Sequence, residues 1–137
     1  MGKINWSRVL LGGLLAGVVI TLVGLGFSVF LGGDLKRVVQ AARPLHTRAQ
    51  ALAFFIPVYF VGGILAVWWY AAIRPRFGPG PKTAAVAGFA VWLTQGPAQF
   101  LVGYFAQLPS GVLVAWMGAT LLQLVAGTLA GAWAYKE

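Results

Sequence analysis

Four long apolar runs, separated by short polar or turn-forming segments, dominate the pattern along the chain. The runs cover about residues 9–31, 51–73, 83–105 and 112–135. At 1.5 Å per residue, a helix over any of them is long enough to cross a hydrocarbon core of about 30 Å. The pattern therefore predicts an all-α fold, with a single four-helix transmembrane domain over residues 1–137 and the helices paired as two hairpins.

The stretch from Trp68 to Lys82 separates the second run from the third. It holds three prolines and two glycines, which remove backbone donors and favour turns, so we expect no helix to run through it. Aromatic residues precede cations here, as is usual where a chain leaves a membrane. The candidate contacts to anionic lipid headgroups are Arg74, Arg76 and Lys82.

The first connection carries a different pattern. Apolar residues recur at helical spacing over residues 35–42, with cations on the opposite side, which predicts a short amphipathic helix on the membrane surface. Asp34 precedes it and is placed to cap it. His46 follows without nearby Cys, Asp or Glu, so we expect no metal or haem site there.

Small residues recur at three- to four-residue intervals in the first and fourth runs. Gly13, Gly17 and Gly24 line one face of the first helix, and Gly127 with Gly131 forms a small-xxx-small pair in the fourth. Gly118 extends the latter stripe. Such stripes predict close helix packing.

The most polar segment at membrane depth lies in the third run, around Pro97, which we expect to kink the helix. Carboxamides in hydrocarbon need partners, so they are predicted to face the bundle interior and to meet polar residues of the fourth helix. The candidate intramembrane cluster comprises Thr94, Gln95, Gln99, Thr120 and Gln123. Two interpretations are open: hydrogen bonds that hold helices together, or a polar binding or permeation site.

Four crossings place both termini on one side of the membrane. If that side is cytoplasmic it holds six Lys and Arg residues, against four on the other side, and the third connection carries no charge. The cytoplasmic set is Lys3, Arg8, Arg74, Arg76, Lys82 and Lys136, and the outer set is Lys36, Arg37, Arg43 and Arg48. We therefore expect a multi-pass protein with both termini in the cytoplasm.

Composition narrows the function classes. The chain is 60% hydrophobic and 9% charged, and its net charge of +8 comes from cations scattered between apolar runs. A bilayer with anionic headgroups explains those cations better than nucleic acid does. The chain has no cysteine, which excludes disulfides and thiolate chemistry. Asp34, Glu137 and His46 all lie at or outside the interface, so we expect neither catalysis nor a cofactor.

The segment from Trp69 to Ala84, with its YAAIRPRFGPGPKTA core, resembles a group of small, uncharacterised bacterial four-helix membrane proteins. The residues 4–6 and 130–137 look similar too. This resemblance implies an architecture and a bacterial inner-membrane location, and no activity. Such relatives often place an acidic residue in the first or fourth helix, and this chain has none there.

Two function classes remain. The glycine stripes and aromatic belts suit a structural or accessory subunit of a membrane assembly, either a homo-oligomer or a larger complex, and this is the interpretation we favour. The alternative is a small oligomeric transporter or channel, with a polar site at Gln95, Gln99 and Gln123.

Overall fold

The computed structural model describes residues 4–30 and 48–135. Within these ranges the chain is all-α, and no residue is in a strand. Its four helices are α1 (Trp6–Phe30), α2 (Arg48–Phe77), α3 (Pro81–Phe105) and α4 (Ser110–Ala134). Each contains a segment of 25 or 26 residues that is long and apolar enough to cross a membrane. The predicted surface helix over 35–42, with Asp34 and His46, lies outside the described residues.

The break between α2 and α3 is shorter than the sequence predicted. α2 continues past its predicted end at Ile73 and through Pro75 to Phe77. The chain still leaves the helix before Pro81, so no single helix runs through the whole stretch, as predicted. Pro75 cannot donate the helix hydrogen bond to the Ala71 carbonyl, but the last turn is still closed by the Gly78 amide, which donates to the Arg74 carbonyl at 2.8 Å. Arg74 and Arg76 also suit the negative end of the helix dipole.

The loop itself consists of residues 78–80. Gly78 and Gly80 have φ angles of 80° and 140°, which other residues rarely adopt, so the turn depends on glycine. The Thr83 hydroxyl donates to the Gly78 carbonyl at 2.8 Å and ties the loop to the first turn of α3. Pro81 begins that helix, where its missing N–H costs nothing.

The helices form a four-membered bundle in which α1 packs on α2 and α4, and α3 packs on α4 and α2. α2 and α4 also touch across the middle. Among the described residues, α1 and α3 form no extensive contact and therefore occupy opposite corners.

Glycines set the closest approaches of α1. A Cβ added to Gly12 would lie 2.6 Å from the Gly131 carbonyl oxygen, and one added to Gly13 would lie 2.6 Å from Ile64. A Cβ added to Gly127 would lie 3.0 Å from the Ala16 carbonyl oxygen. The packing predicted for these stripes is confirmed. Gly118 is the exception, because a Cβ there would meet no atom within 4 Å.

Both described ends of the chain meet at the end of the bundle that carries loop 78–80, which we call the termini end. The backbone amide of Asn5 donates to the Tyr135 hydroxyl at 3.2 Å. The Tyr135 ring contacts the Tyr70 ring edge to face at 6.0 Å, and the Arg74 guanidinium lies 5.7 Å from its centroid. The prediction that the two termini share one side is thus confirmed as geometry.

Candidate intramembrane polar site

Gln99 and Thr120 form the centre of a polar contact between α3 and α4. The Thr120 hydroxyl lies 2.9 Å from the Gln99 Oε1 atom, and it is also 2.9 Å from the Met117 carbonyl oxygen of its own helix. A hydroxyl has one proton to donate, so these two acceptors share it. Gln99 therefore reaches inward toward the fourth helix, as the sequence predicted.

Trp92 completes this contact. Its indole N–H donates to the Met117 carbonyl oxygen at 3.1 Å and lies 3.3 Å from the Thr120 hydroxyl oxygen. Trp92 was not among the residues predicted for the polar cluster. Two signals pointed to it: Trp92 and Gln99 lie seven residues apart on one helix face, and a buried indole N–H needs an acceptor.

The contact is not fully satisfied. The Gln99 Nε2 atom is buried, and no hydrogen-bond acceptor lies in range of it in the described part of the chain. Two donor protons are left without a partner there, which in a low-dielectric interior is unfavourable. One side-chain hydrogen bond between Thr120 and Gln99 thus joins α3 and α4, and the Gln99 Nε2 group can still donate to a further acceptor.

Gln123 lies elsewhere in the bundle. It is 6% exposed and stands against Gly24 of α1, next to the Tyr59 ring of α2. No hydrogen bond joins it to Gln99 or Thr120, nor to any other described residue. The predicted five-residue cluster is therefore divided, with Gln99 and Thr120 between α3 and α4 and Gln123 against α1 and α2.

Gln95 and Thr94 do not face the interior, which corrects the prediction for both. Both residues are exposed, although they lie close to the middle of α3. The Thr94 hydroxyl bonds back to the Val91 carbonyl of its own helix at 2.7 Å. Gln95 has no hydrogen-bond partner among the residues that the structure describes.

The surroundings of Gln95 are set by its position along α3. Val91, Gln95 and Gln99 are spaced four apart on one face of α3, and Val91 belongs to the same packed cluster as Ala66 of α2. Gly62, one turn further from the loop in α2, is buried, and an added Cβ there would meet no atom within 4 Å. Gln95, one turn further from the loop in α3, is exposed. We call this region the α2–α3 cleft.

The three interfacial cations differ in their surroundings. Arg76 and Lys82 are exposed, whereas Arg74 is half-buried beside Tyr135.

Pro97 lies within the continuous α3, and the kink predicted there stays a prediction. No group of three His, Cys, Asp or Glu side chains that could hold a metal ion occurs in residues 4–30 and 48–135.

Comparison with known proteins adds no family to this geometry. Scans of family models, of curated proteins and of solved structures each found no significant match to the chain. The function has to be argued from the polar contacts, the cleft and the interfacial residues themselves.

Proposed function

We propose that this protein is a non-catalytic structural subunit of a membrane assembly, and that it associates with a second copy of itself through the α2–α3 cleft. The observation that carries this proposal is the exposed carboxamide of Gln95 near the middle of a membrane-spanning helix. A carboxamide left unpaired in hydrocarbon costs roughly a few kcal/mol, so its exposure favours a partner that supplies hydrogen bonds.

A second copy is the partner that best fits this side chain. A carboxamide donates and accepts hydrogen bonds, so two Gln95 side chains related by a twofold axis satisfy each other. The surrounding face suits close approach, because Ala98, one turn from Gln95, is small and exposed. No additional residue type is needed to complete such an interface.

The four helices contain no Asp, Glu or His, which supports a non-catalytic role. Asp34, Glu137 and His46 are the chain's acidic residues and its histidine, and all three lie outside α1 to α4. General acid–base chemistry within these helices would therefore have no carboxylate or imidazole to use. The close glycine contacts of α1 also suit a rigid scaffold more than a moving one.

The same proposal covers placement in the cell. We place the termini end in the cytoplasm of a bacterium, with the chain in the inner membrane as two hairpins and a surface helix over 35–42. The six-to-four distribution of cations supports this orientation. The resemblance of the central loop to small bacterial four-helix proteins supports the organism class.

Cysteine crosslinking tests the interface directly, because the chain has no cysteine of its own. Ala98→Cys places one thiol beside Gln95 without removing the carboxamide. Leu22→Cys is the matched control, since Leu22 is 63% exposed on α1 at a similar distance from the termini end. We expect oxidation in membranes to yield dimers for Ala98→Cys and not for Leu22→Cys.

Combining Gln95→Leu with Ala98→Cys measures how much the Gln95 carboxamide contributes to association of the two copies. An interhelical hydrogen bond in a membrane is worth about 0.6–2 kcal/mol, so its loss should lower the association constant about 3- to 30-fold. The crosslinked dimer fraction should therefore be smaller in the double variant than in Ala98→Cys alone. Equal crosslinking at both cysteines, no dimer at all, or an Ala98→Cys adduct to a different protein would each refute the proposal.

A polar transport site is the second candidate, and Gln123 is the observation that favours it. This side chain is 6% exposed, and among described residues nothing hydrogen-bonds to it. Gln99 has spare donors too, but the two carboxamides contact different helices and line no common path. Flux of small polar solutes into proteoliposomes that Gln123→Leu abolishes, with stability unchanged, would favour transport.

A further inference from the structure

A cavity of about 610 Å³ opens at the termini end, between the end of α2, the start of α3 and the end of α4. This volume lies within the range of about 300–1,000 Å³ that is common for small-molecule sites. Its described lining includes Tyr70, Arg74, Gly80, Leu129, Trp133 and Tyr135. It is separate from the α2–α3 cleft, which lies at the level of Gln95.

One wall of the cavity is cationic and polar. The Arg74 guanidinium stands over the Tyr135 ring, and the Tyr70 hydroxyl accepts from the Gly80 amide at 3.4 Å. α3 begins at this wall, and its N-cap Gly80 provides no side-chain hydrogen bond. The positive end of the α3 dipole therefore adds to the charge of Arg74.

The opposite wall is apolar and faces outward. Leu129 is 36% exposed and Trp133 is 69% exposed, and Ala84 forms the floor between α3 and α4. In a membrane, this wall continues into the acyl-chain region, while Arg74 and Tyr135 lie at the level where chain ends and headgroups meet. The cavity thus has a charged end at Arg74 and an apolar end at Leu129 and Trp133.

We propose that this cavity binds one anionic phospholipid, with Arg74 contacting the phosphate and one acyl chain lying along Leu129 and Trp133. A guanidinium is well matched to a phosphate because its N–H groups form charge-assisted, bidentate hydrogen bonds. Arg74 is the charged side chain among the described lining residues, so the charge at this wall favours a lipid with a net negative charge over a zwitterionic one. The apolar wall distinguishes a lipid from a free phosphate ion.

This site differs from the general attraction of exposed cations to a negative membrane surface. Arg76 and Lys82 are exposed and do not line the cavity, so they contribute charge without defined contacts. Arg74, by contrast, is half-buried and oriented by an aromatic ring. The structure thus singles out one of three neighbouring cations as the phosphate contact.

Native mass spectrometry of the purified protein, titrated with phosphatidylglycerol, tests the proposal. We expect one phosphatidylglycerol to bind more tightly than any further copy and more tightly than phosphatidylcholine. Arg74→Gln should weaken that first binding about 10-fold or more, because a charge-assisted contact is lost, whereas the control Arg76→Gln should change it less than about 2-fold. Arg74→Lys keeps the positive charge but cannot form the bidentate contact of a guanidinium. Its loss of affinity for the first phosphatidylglycerol should therefore lie between those of Arg74→Gln and Arg76→Gln.

Leu129→Trp provides a second test that leaves every cation in place, should Arg74→Gln perturb folding. Its larger side chain is expected to fill the apolar end and to weaken phosphatidylglycerol binding. Inorganic phosphate at equal concentration should not displace the lipid. The proposal is overturned if Arg74→Gln and Arg76→Gln behave alike, if phosphatidylcholine binds equally well, if phosphate alone competes, or if Leu129→Trp has no effect.

Discussion

Gly62 and Gly63 are neighbours in α2, yet the structure predicts opposite responses to the same alanine substitution. A Cβ on Gly63 would lie 2.6 Å from the carbonyl oxygen of Gly13 and 2.6 Å from the backbone nitrogen of Gly17. A Cβ on Gly62 would meet no atom within 4 Å. Because the contacts at Gly63 are backbone atoms of α1, no side-chain rotation can relieve them.

The size of the difference follows from these distances. Ordinary van der Waals contact begins at 3.4 Å, so Gly63→Ala forces α1 and α2 apart by nearly 1 Å or bends one of them. Overpacking of this kind costs about 1–3 kcal/mol. The gain in helix propensity from Gly to Ala, about 1 kcal/mol in water, is common to both variants and cancels between them. We therefore expect Gly63→Ala to be about 1–3 kcal/mol less stable than Gly62→Ala.

The measurement is the free energy of unfolding in mixed micelles, titrated with a denaturing detergent and followed by tryptophan fluorescence or circular dichroism. Gly62→Ala should equal or exceed the parent protein in stability, and Gly63→Ala should fall below it. Two variants that agree within about 0.5 kcal/mol would show that α1 and α2 do not pack at this distance. A less stable Gly62→Ala would show that the open space beside it is filled.

Two further predictions concern single hydrogen bonds. Thr120→Val and Gln99→Leu, made singly and together, should give a coupling free energy of about 0.6–2 kcal/mol in the same unfolding assay, and a coupling near zero would contradict the contact between α3 and α4. Thr83→Val should speed hydrogen exchange at the Gly78 and Gly80 amides by removing a bond worth about 1 kcal/mol. Thr94→Val, whose hydroxyl bonds only within α3, is the control and should leave that loop unchanged.

Much of the fold was predictable from the apolar runs. Their lengths gave four spanning helices and placed the two ends of the chain together, as the bond from Asn5 to Tyr135 confirms. The helix ends were less predictable. Proline chemistry suggested a loop after Ile73, but α2 continues through Pro75 and ends at Phe77, just before Gly78 takes a positive φ angle.

The glycine stripes were predictable as stripes and not as individual contacts. Spacing correctly indicated Gly13, Gly17, Gly127 and Gly131, because small residues on one face permit close approach. Spacing also indicated Gly118, where an added Cβ would meet no atom within 4 Å. It could not predict that Gly63 contacts the α1 backbone closely while a Cβ on Gly62 would meet no atom. Periodicity identifies a helix face, and only the paths of the neighbouring helices decide where along that face another backbone arrives.

The same limit explains the division of the polar cluster. Gln95 and Gln99 are identical residues four apart on one face, so the sequence gives both the same expected surroundings. Gln99 reaches Thr120 because α4 passes within hydrogen-bond distance, while Gln95 is exposed and has no hydrogen-bond partner among the described residues. An inward-facing stripe is buried only where a neighbour covers it. The energetic argument that predicted burial of the Gln95 carboxamide applies equally to an uncovered turn, because hydrocarbon around α3 would offer it no hydrogen bond. The exposure of Gln95 is for that reason the observation on which the proposed association with a second copy depends.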